Sequence, residues 1–249
     1  YNRGAALMNI QDYAGAVLAF NSLLAVSPQY TAAIYEKAVA LLYLSRFREA
    51  SQTFDEALDL NPSLADAWLY KGVALVNLDA GEDAITAFDK ALLLNPRRTE
   101  AAVRKGIALV SLEKFDDAVV VFNHVLEKEP RNAQVWYYKG ISLSRIGRHL
   151  EAVRSFDKTL EIDPSCTRAW SAKADACLVL KKPLDALDAF DSALETQPGN
   201  QDILYKKGVT LFNLKKYDAA LTSFDEVLRL NPGMSDAQFH RGLIFTELE

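Results

Sequence analysis

Among the 249 residues, the side chains best able to ligate a metal or act as base or nucleophile are three histidines and two cysteines. His124, His149 and His240 stand at unrelated distances, and none has a Cys or His partner at metal-ligand spacing. No phosphate-cradling GxxxxGK[ST], no GxGxxG, no GxSxG nucleophile elbow and no zinc-binding HExxH occurs. Cys166 and Cys177 are too few for a disulfide framework, which points to a reducing, cytoplasmic setting. These residues predict no catalysis, no metal and no cofactor.

A second set of polar residues recurs strictly. Arg3, Lys37, Lys71, Lys105, Lys139, Lys173, Lys207 and Arg241 form one series, and Asn21, Asp55, Asp89, Asn123, Asp157, Asp191 and Asp225 another. A basic ladder alone would suit an anionic partner. Its co-repetition with an acidic or amide ladder favours structural pairing, each Lys with an Asp of its own repeat or the next.

The elements that position these residues follow from the prolines. Pro28, Pro62, Pro96, Pro130, Pro164, Pro198 and Pro232 are spaced by 34 residues. A period of that length marks a stack of supersecondary units rather than one rounded core. Upstream of each proline at intervals of four stand a Leu, a Phe (Phe20, Phe54, Phe88, Phe122, Phe156, Phe190, Phe224) and an Ala, one stripe of a helix B with a solvated back. Twenty-four residues before the proline comes Gly4, Gly72, Gly106, Gly140 or Gly208, with Ala38 and Ala174 departing and Gly242 continuing the phase. Glycine inside a helix costs roughly 0.5–1 kcal/mol, so its recurrence calls for a close approach by a neighbouring helix. Trp68, Trp136 and Trp170 and a leucine series surround it, and Cys177 takes the leucine's place once. Each unit is thus helix A, a short turn and helix B.

This pattern, W-x2-x-G-x2-L…A-x3-F…P at 34 residues, resembles the tetratricopeptide repeat, with Leu where Tyr is often found. The resemblance implies an all-α, right-handed α-solenoid (superhelix) of antiparallel helix pairs, with A helices lining a concave groove. The phase sets a partial first repeat at 1–30 and full repeats at 31–64, 65–98, 99–132, 133–166, 167–200 and 201–234. A final helix at 235–249, ending Glu247-Leu248-Glu249, could serve as a cap. Tyr1 falls inside the first helix A, and the chain is expected to be a segment of a longer protein or to have lost residues before it.

Helix A carries a wider apolar arc than helix B. Beside the core stripe Ile34, Ala38 and Leu41 runs a second, Tyr35, Val39 and Leu42, with Tyr43 adjoining. Its equivalents include Leu69, Val73 and Asn77, then Val103 and Ile107, Tyr137 and Ile141, and Tyr205. Part of this stripe must pack between adjacent A helices. The rest is the expected partner-binding lining, since by resemblance ligands lie against A-helix faces. Arg145, Arg168, Ser171, Asp175 and Lys206 interrupt it with polar groups, and the usual diagonal of such grooves would make Arg145, Asp175 and Lys206 neighbours. They read either as a point that fixes ligand register or as an internal salt bridge in the divergent repeat that also carries Ala174, Cys177 and Pro183.

The resemblance also implies what the groove does not take. Tyr35, Val39, Leu69, Val73, Val103 and Ile107 occupy the positions of a Lys/Asn/Arg carboxylate clamp, so an EEVD-type chaperone tail is not expected. At roughly 8–10 Å per packed helix, the A helices would make a groove on the order of 60–70 Å, enough for an extended segment of about 20 residues or an amphipathic helix.

Bulk composition agrees with a scaffold. The chain is 50% hydrophobic and 24% charged with net charge −5, and its charges are interspersed, which leaves no basic stripe for nucleic acid. No apolar run approaches the roughly 18–20 residues of a membrane span, and the start has no signal-peptide layout. The expected function is non-catalytic binding of a peptide or helical segment of a partner protein. Two rivals are self-assembly into homo-oligomers through the ends or the groove, and a regulatory or docking segment of a larger enzyme such as a glycosyltransferase.

Overall fold

The computed structural model describes residues 1–248, and among them every regular element is a helix. Glu249, the last residue of the expected cap, lies outside them. The chain divides into two compact units, 1–125 and 126–249. The first holds α1 (Asn2–Asn9), α2 (Tyr13–Leu24), α3 (Thr31–Tyr43), α4 (Phe47–Leu60), α5 (Ala65–Val76), α6 (Gly81–Leu94) and α7 (Thr99–Ser111). α8 (Phe115–Lys128) falls across the division. The second holds α9 (Ala133–Arg145), α10 (His149–Ile162), α11 (Thr167–Val179), α12 (Pro183–Thr196), α13 (Gln201–Asn213), α14 (Tyr217–Leu230) and α15 (Ser235–Leu248).

Within each unit the contacts are those of stacked helix pairs. Helix A packs on its own helix B, as α3 on α4 and α11 on α12, and each helix B packs on the next helix A. Successive A helices also touch, α3 with α5 and α5 with α7 in the first unit, and α9 with α11 and α13 with α15 in the second. Tyr1 precedes the first helix as its N-cap residue instead of lying inside it.

Two local devices repeat. The turn from A to B is closed by a residue in the left-handed region: Gln11, Ser45, Asp79, Glu113, Lys181 and Lys215 at φ 57–62°, and Gly147 at φ 81°. In the second repeat Ser45 N–H donates to the Leu42 carbonyl (3.0 Å) and Arg46 N–H to the Leu41 carbonyl (3.0 Å). These are the two bonds of a Schellman C-cap, and they satisfy carbonyls at the end of helix A. The turn from B to the next A uses the residue before proline. Asn61 is extended (φ −144°, ψ 90°), as a pre-proline residue prefers, and its side-chain oxygen accepts from Ser63 N–H at 3.1 Å. Asp163 and Asn231 make the equivalent bond to Ser165 and Gly233.

The core is the helix B stripe. All seven Phe residues and the seven Ala residues four positions before them are fully buried. The helix A glycine meets the Phe ring of its own repeat: a Cβ on Gly72 would lie 2.5 Å from Phe88 Cε1, and one on Gly140 2.5 Å from Phe156 Cε1. The close approach inferred from sequence is therefore made by a ring within the repeat. Gly242 on α15 meets nothing within 4 Å. α15 buries Ala237 and Ile244 and leaves Phe239, Phe245 and Leu248 exposed.

The charged ladders pair across the repeat boundary. Lys71 binds Asp55, Lys105 binds Asp89 at 2.5 Å, Lys173 binds Asp157 at 2.7 Å and Lys207 binds Asp191 at 2.5 Å. Each Lys reaches the Asp of the repeat before its own, not its own or the next. The ladder tacks helix B to the following helix A, and such part-exposed pairs contribute up to about 1 kcal/mol each.

Candidate functional site

The A-helix face of the first unit is set by α3, α5 and α7. Their spacing of four turns Tyr35, Val39 and Tyr43, then Leu69, Val73 and Asn77, then Val103 and Ile107, to one side of the stack. The structure divides these residues by access. Val39 and Leu69 are buried (9% and 0% exposed), and Leu69 packs in a cluster with Ala84 and Phe88 of α6. Tyr35, Leu42, Val73, Val103 and Ile107 are half-buried, while Tyr43 and Asn77 are exposed. The Asn77 amide folds back to donate to the Val73 carbonyl at 2.9 Å. Tyr43 stacks on Tyr13 with ring centroids 4.8 Å apart.

Charged groups the sequence reading passed over also lie in this region. Arg98 bridges Asp66 at 3.1 Å and Glu100 at 3.5 Å, and Arg104 reaches Glu100 at 3.1 Å. Burial, with smaller contributions from Tyr70, Asp66 and Glu36, pushes the Tyr35 hydroxyl well above its ordinary pKa, so it stays a neutral hydrogen-bonding group. Burial also raises the Glu36 carboxyl. The signal missed was the polar residue at the second and sixth positions of helix A, where Asp66, Glu100, Glu36 and Tyr70 recur beside the apolar stripe.

In the second unit the A-helix face is cut by two clefts. One, of about 370 Å³, is lined by Tyr137 and Ile141 of α9, Arg168, Ser171 and Asp175 of α11, and the start of α13. The Arg168 guanidinium lies over the Tyr137 ring, 5.3 Å from its centroid. The Tyr137 hydroxyl is raised by burial, which outweighs the opposing pull of Arg168. Arg145 is exposed and is not among the residues lining this cleft. The other cleft, about 570 Å³, lies between the α11–α12 turn and α13, with Tyr205, Lys206 and Val209 on its wall.

The Asp175–Lys206 part of the expected diagonal is formed. Lys206 Nζ lies 3.0 Å from Asp175 and 3.2 Å from Asp202. Burial works against the ammonium, but the bonds to the two carboxylates prevail and raise its pKa, so Lys206 is held charged and in place. The polar interruption of the groove is thus in part an internal salt bridge, with Arg168 the cation left facing the cleft.

The tryptophans serve the frame. The indole N–H of Trp68, Trp136 and Trp170 donates to the carbonyl of Pro62, Pro130 and Pro164 at 2.9–3.0 Å, and Gln238 makes the same bond to Pro232 at 2.7 Å. Among the described residues no group of His, Cys, Asp and Glu is placed to hold a metal ion. Cys177 is buried, and that burial raises its thiol pKa, the direction of an unreactive thiol.

Stacked 34-residue helix pairs with a mixed apolar and polar A-helix face define an α-solenoid of the protein-interaction class. The chain belongs to the tetratricopeptide repeat family, whose models match residues 35–102, 103–165, 139–201 and 202–234. Members of that family are generally non-catalytic scaffolds for protein–protein interaction. Among solved structures, one from Cytophaga hutchinsonii, the C-terminal part of a TPR repeat-containing protein, has a TM-score of 0.83 at 18% identity, covering 95% of this chain and 97% of that one. YrrB, described as a TPR protein with an unusual peptide-binding site, has a TM-score of 0.68 at 23% identity, covering 76% and 97%. MamA from Desulfovibrio magneticus RS-1 has a TM-score of 0.65 at 22% identity, covering 68% and 96%. At these identities the likeness is one of fold. No curated protein matches the chain. No helix among the described residues is long and apolar enough to cross a membrane.

Proposed function

We propose that the protein is a scaffold that binds a segment of a partner protein along its A-helix faces, without catalysis of its own. The observation that carries this reading is the second unit's A-helix face, where two clefts of about 370 and 570 Å³ expose the sides of tyrosines and aliphatic residues beside a few polar groups. That mixture is what ligand sites combine, apolar area for affinity and placed polar groups for orientation. Tyr137 and Tyr205 supply large area at low rotamer cost, as anchor residues do. The peptide-binding site named for YrrB supports the same class of ligand for this chain.

The test compares proteins retained from native lysate by the wild type, by Tyr137→Ala and Arg168→Glu in the cleft, and by Leu93→Ser on the exposed outer side of α6. The expected result is loss of the retained partner with the two cleft variants only, while the helical melting curves stay close together. A partner retained equally by all four proteins would remove the A-helix face as the binding surface.

A further inference from the structure

The larger cleft exists because one turn lacks the side chain that most others carry. The first residue of helix B is Tyr or Phe at Tyr13, Phe47, Phe115 and Tyr217, and His149 puts an imidazole ring there in the fifth repeat. At Tyr217 it packs on Phe212 of the preceding helix A, with centroids 5.8 Å apart. Gly81 also lacks a bulky side chain there, and Leu112 of the next repeat closes the space, so that a Cβ on Gly81 would meet it at 3.0 Å. At the sixth repeat the residue is Pro183, and the space stays open as the cleft of about 570 Å³. Its walls are Leu178, Pro183, Tyr205, Val209 and Leu214, an apolar hole of the size class that takes several ligand side chains.

The rim has one sign of charge. Lys181 and Lys206 line the cleft, and no Asp or Glu does. Lys206 is engaged by Asp175 and Asp202 and Lys182 lies 3.8 Å from Asp185, whereas Lys181 has no ion pair among the described residues. The turns on either side, after α11 and after α13, both read Lys-Lys, at 181–182 and 215–216, and all four are exposed. The other A-to-B turns carry Ser-Arg, Asp-Ala, Glu-Lys or Gly-Arg at 45–46, 79–80, 113–114 and 147–148, and Gln-Asp at 11–12. One lysine pair therefore lies in the turn that leads into Pro183, where the gap is not refilled, and the other lies in the corresponding turn of the next repeat.

We infer that this cleft is the anchor pocket of the binding face, taking an aromatic or large aliphatic side chain of a partner segment whose next residues are acidic. This rests on the scaffold reading above. The apolar side chain occupies the place an aromatic of helix B fills elsewhere, and its acidic neighbours lie along Lys181, Lys182, Lys215 and Lys216. Buried apolar area supplies most of the affinity, and the lysines supply register and a salt-sensitive share.

The probe is an array of eight-residue peptides with Phe, Trp, Leu or Ala at the centre, followed by Asp-Glu or by Lys-Lys. The best binder is then titrated against three proteins. Pro183→Tyr fills the cleft with the residue type that four other turns accommodate. Lys181→Glu with Lys215→Glu reverses the rim at exposed positions. Leu93→Ser, at an exposed position of α6 in the first unit, is the control. The expected result is selection of Phe, Trp or Leu with Asp-Glu, a loss of at least tenfold in affinity with each of the first two proteins, weakening of the wild type by added salt, and little change with Leu93→Ser. Binding that ignores the acidic residues, or that survives Pro183→Tyr, overturns the anchor pocket. If a selected peptide is kept by the first two proteins and lost by the Tyr137→Ala protein of the lysate test, the scaffold reading stands and the anchor pocket falls. Selection of no peptide also overturns the anchor pocket, and the lysate test still decides the scaffold reading.

Discussion

At the residue scale, the least visible feature of the sequence is the C-cap of helix A. Its left-handed position holds Gln, Ser, Asp, Glu or Lys in six repeats and Gly only at Gly147, so the usual glycine signal was present once in seven. What fixes the conformation is the pair of cap hydrogen bonds and the packing of both helices, which override the preference of a single side chain. A β-carbon in the left-handed region costs about 1–2 kcal/mol, partly offset by the greater freedom glycine has in the unfolded chain. Ser45→Gly is therefore expected to stabilise by about 0.5–1 kcal/mol, and Gly147→Ala to destabilise by about the same amount. Gly147 has nothing within 4 Å of where a β-carbon would stand, so its loss is conformational and not steric. Urea denaturation reads both as opposite shifts in midpoint at unchanged slope. Two shifts of the same sign would show that the cap conformation is not what these positions respond to.

At the scale of the element, most of what the 34-residue spacing implied about the helix pair is present: the Phe stripe of helix B is buried throughout, and the proline ends the helix through an extended pre-proline residue. Periodicity reports which face of a helix is apolar, but not which neighbour covers it. The recurrent glycine was legible as a close approach, yet the ring responsible, sixteen residues on in the same repeat, was not. Val39 and Leu69 likewise share a face with Tyr43, yet the first two are buried and the third is open, a difference set by tertiary neighbours and not by the spacing. The glycine gives a contrast of sign. Gly72→Ala puts a β-carbon 2.5 Å from a fully buried Phe88 ring and should lower stability. Gly242→Ala, in a helix with nothing within 4 Å, should gain roughly 0.5–1 kcal/mol of helix propensity. Thermal melts followed by circular dichroism separate the two, and a loss at Gly242 equal to that at Gly72 would mean that something other than the Phe ring excludes a β-carbon at this position.

At the scale of the whole molecule, a chain that repeats one helix pair has no central core whose loss unfolds everything at once. Each pair rests on its neighbours, and the Lys–Asp ladder, the Gly–Phe contact and the Trp–Pro bond recur within a repeat or between adjacent ones. Stability should then be a sum of local and nearest-neighbour contributions. Sequence repetition made that architecture legible, whereas the candidate binding face depends on departures from repetition, such as Pro183 where other turns have an aromatic, whose effect depends on what the next repeat puts beside them. Replacing a buried Phe by Ala typically costs about 3–5 kcal/mol through lost contacts and a cavity. In Phe190→Ala that cost should stay local, speeding hydrogen exchange in α11, α12 and α13, while α3 and α4 in the first unit keep their wild-type rates. Exchange resolved by peptide is the measurement, because local opening free energies report each helix separately where one melting temperature averages them. Acceleration in α3 and α4 equal to that in α12 would mean that the repeats unfold together and that the nearest-neighbour description is wrong for this chain.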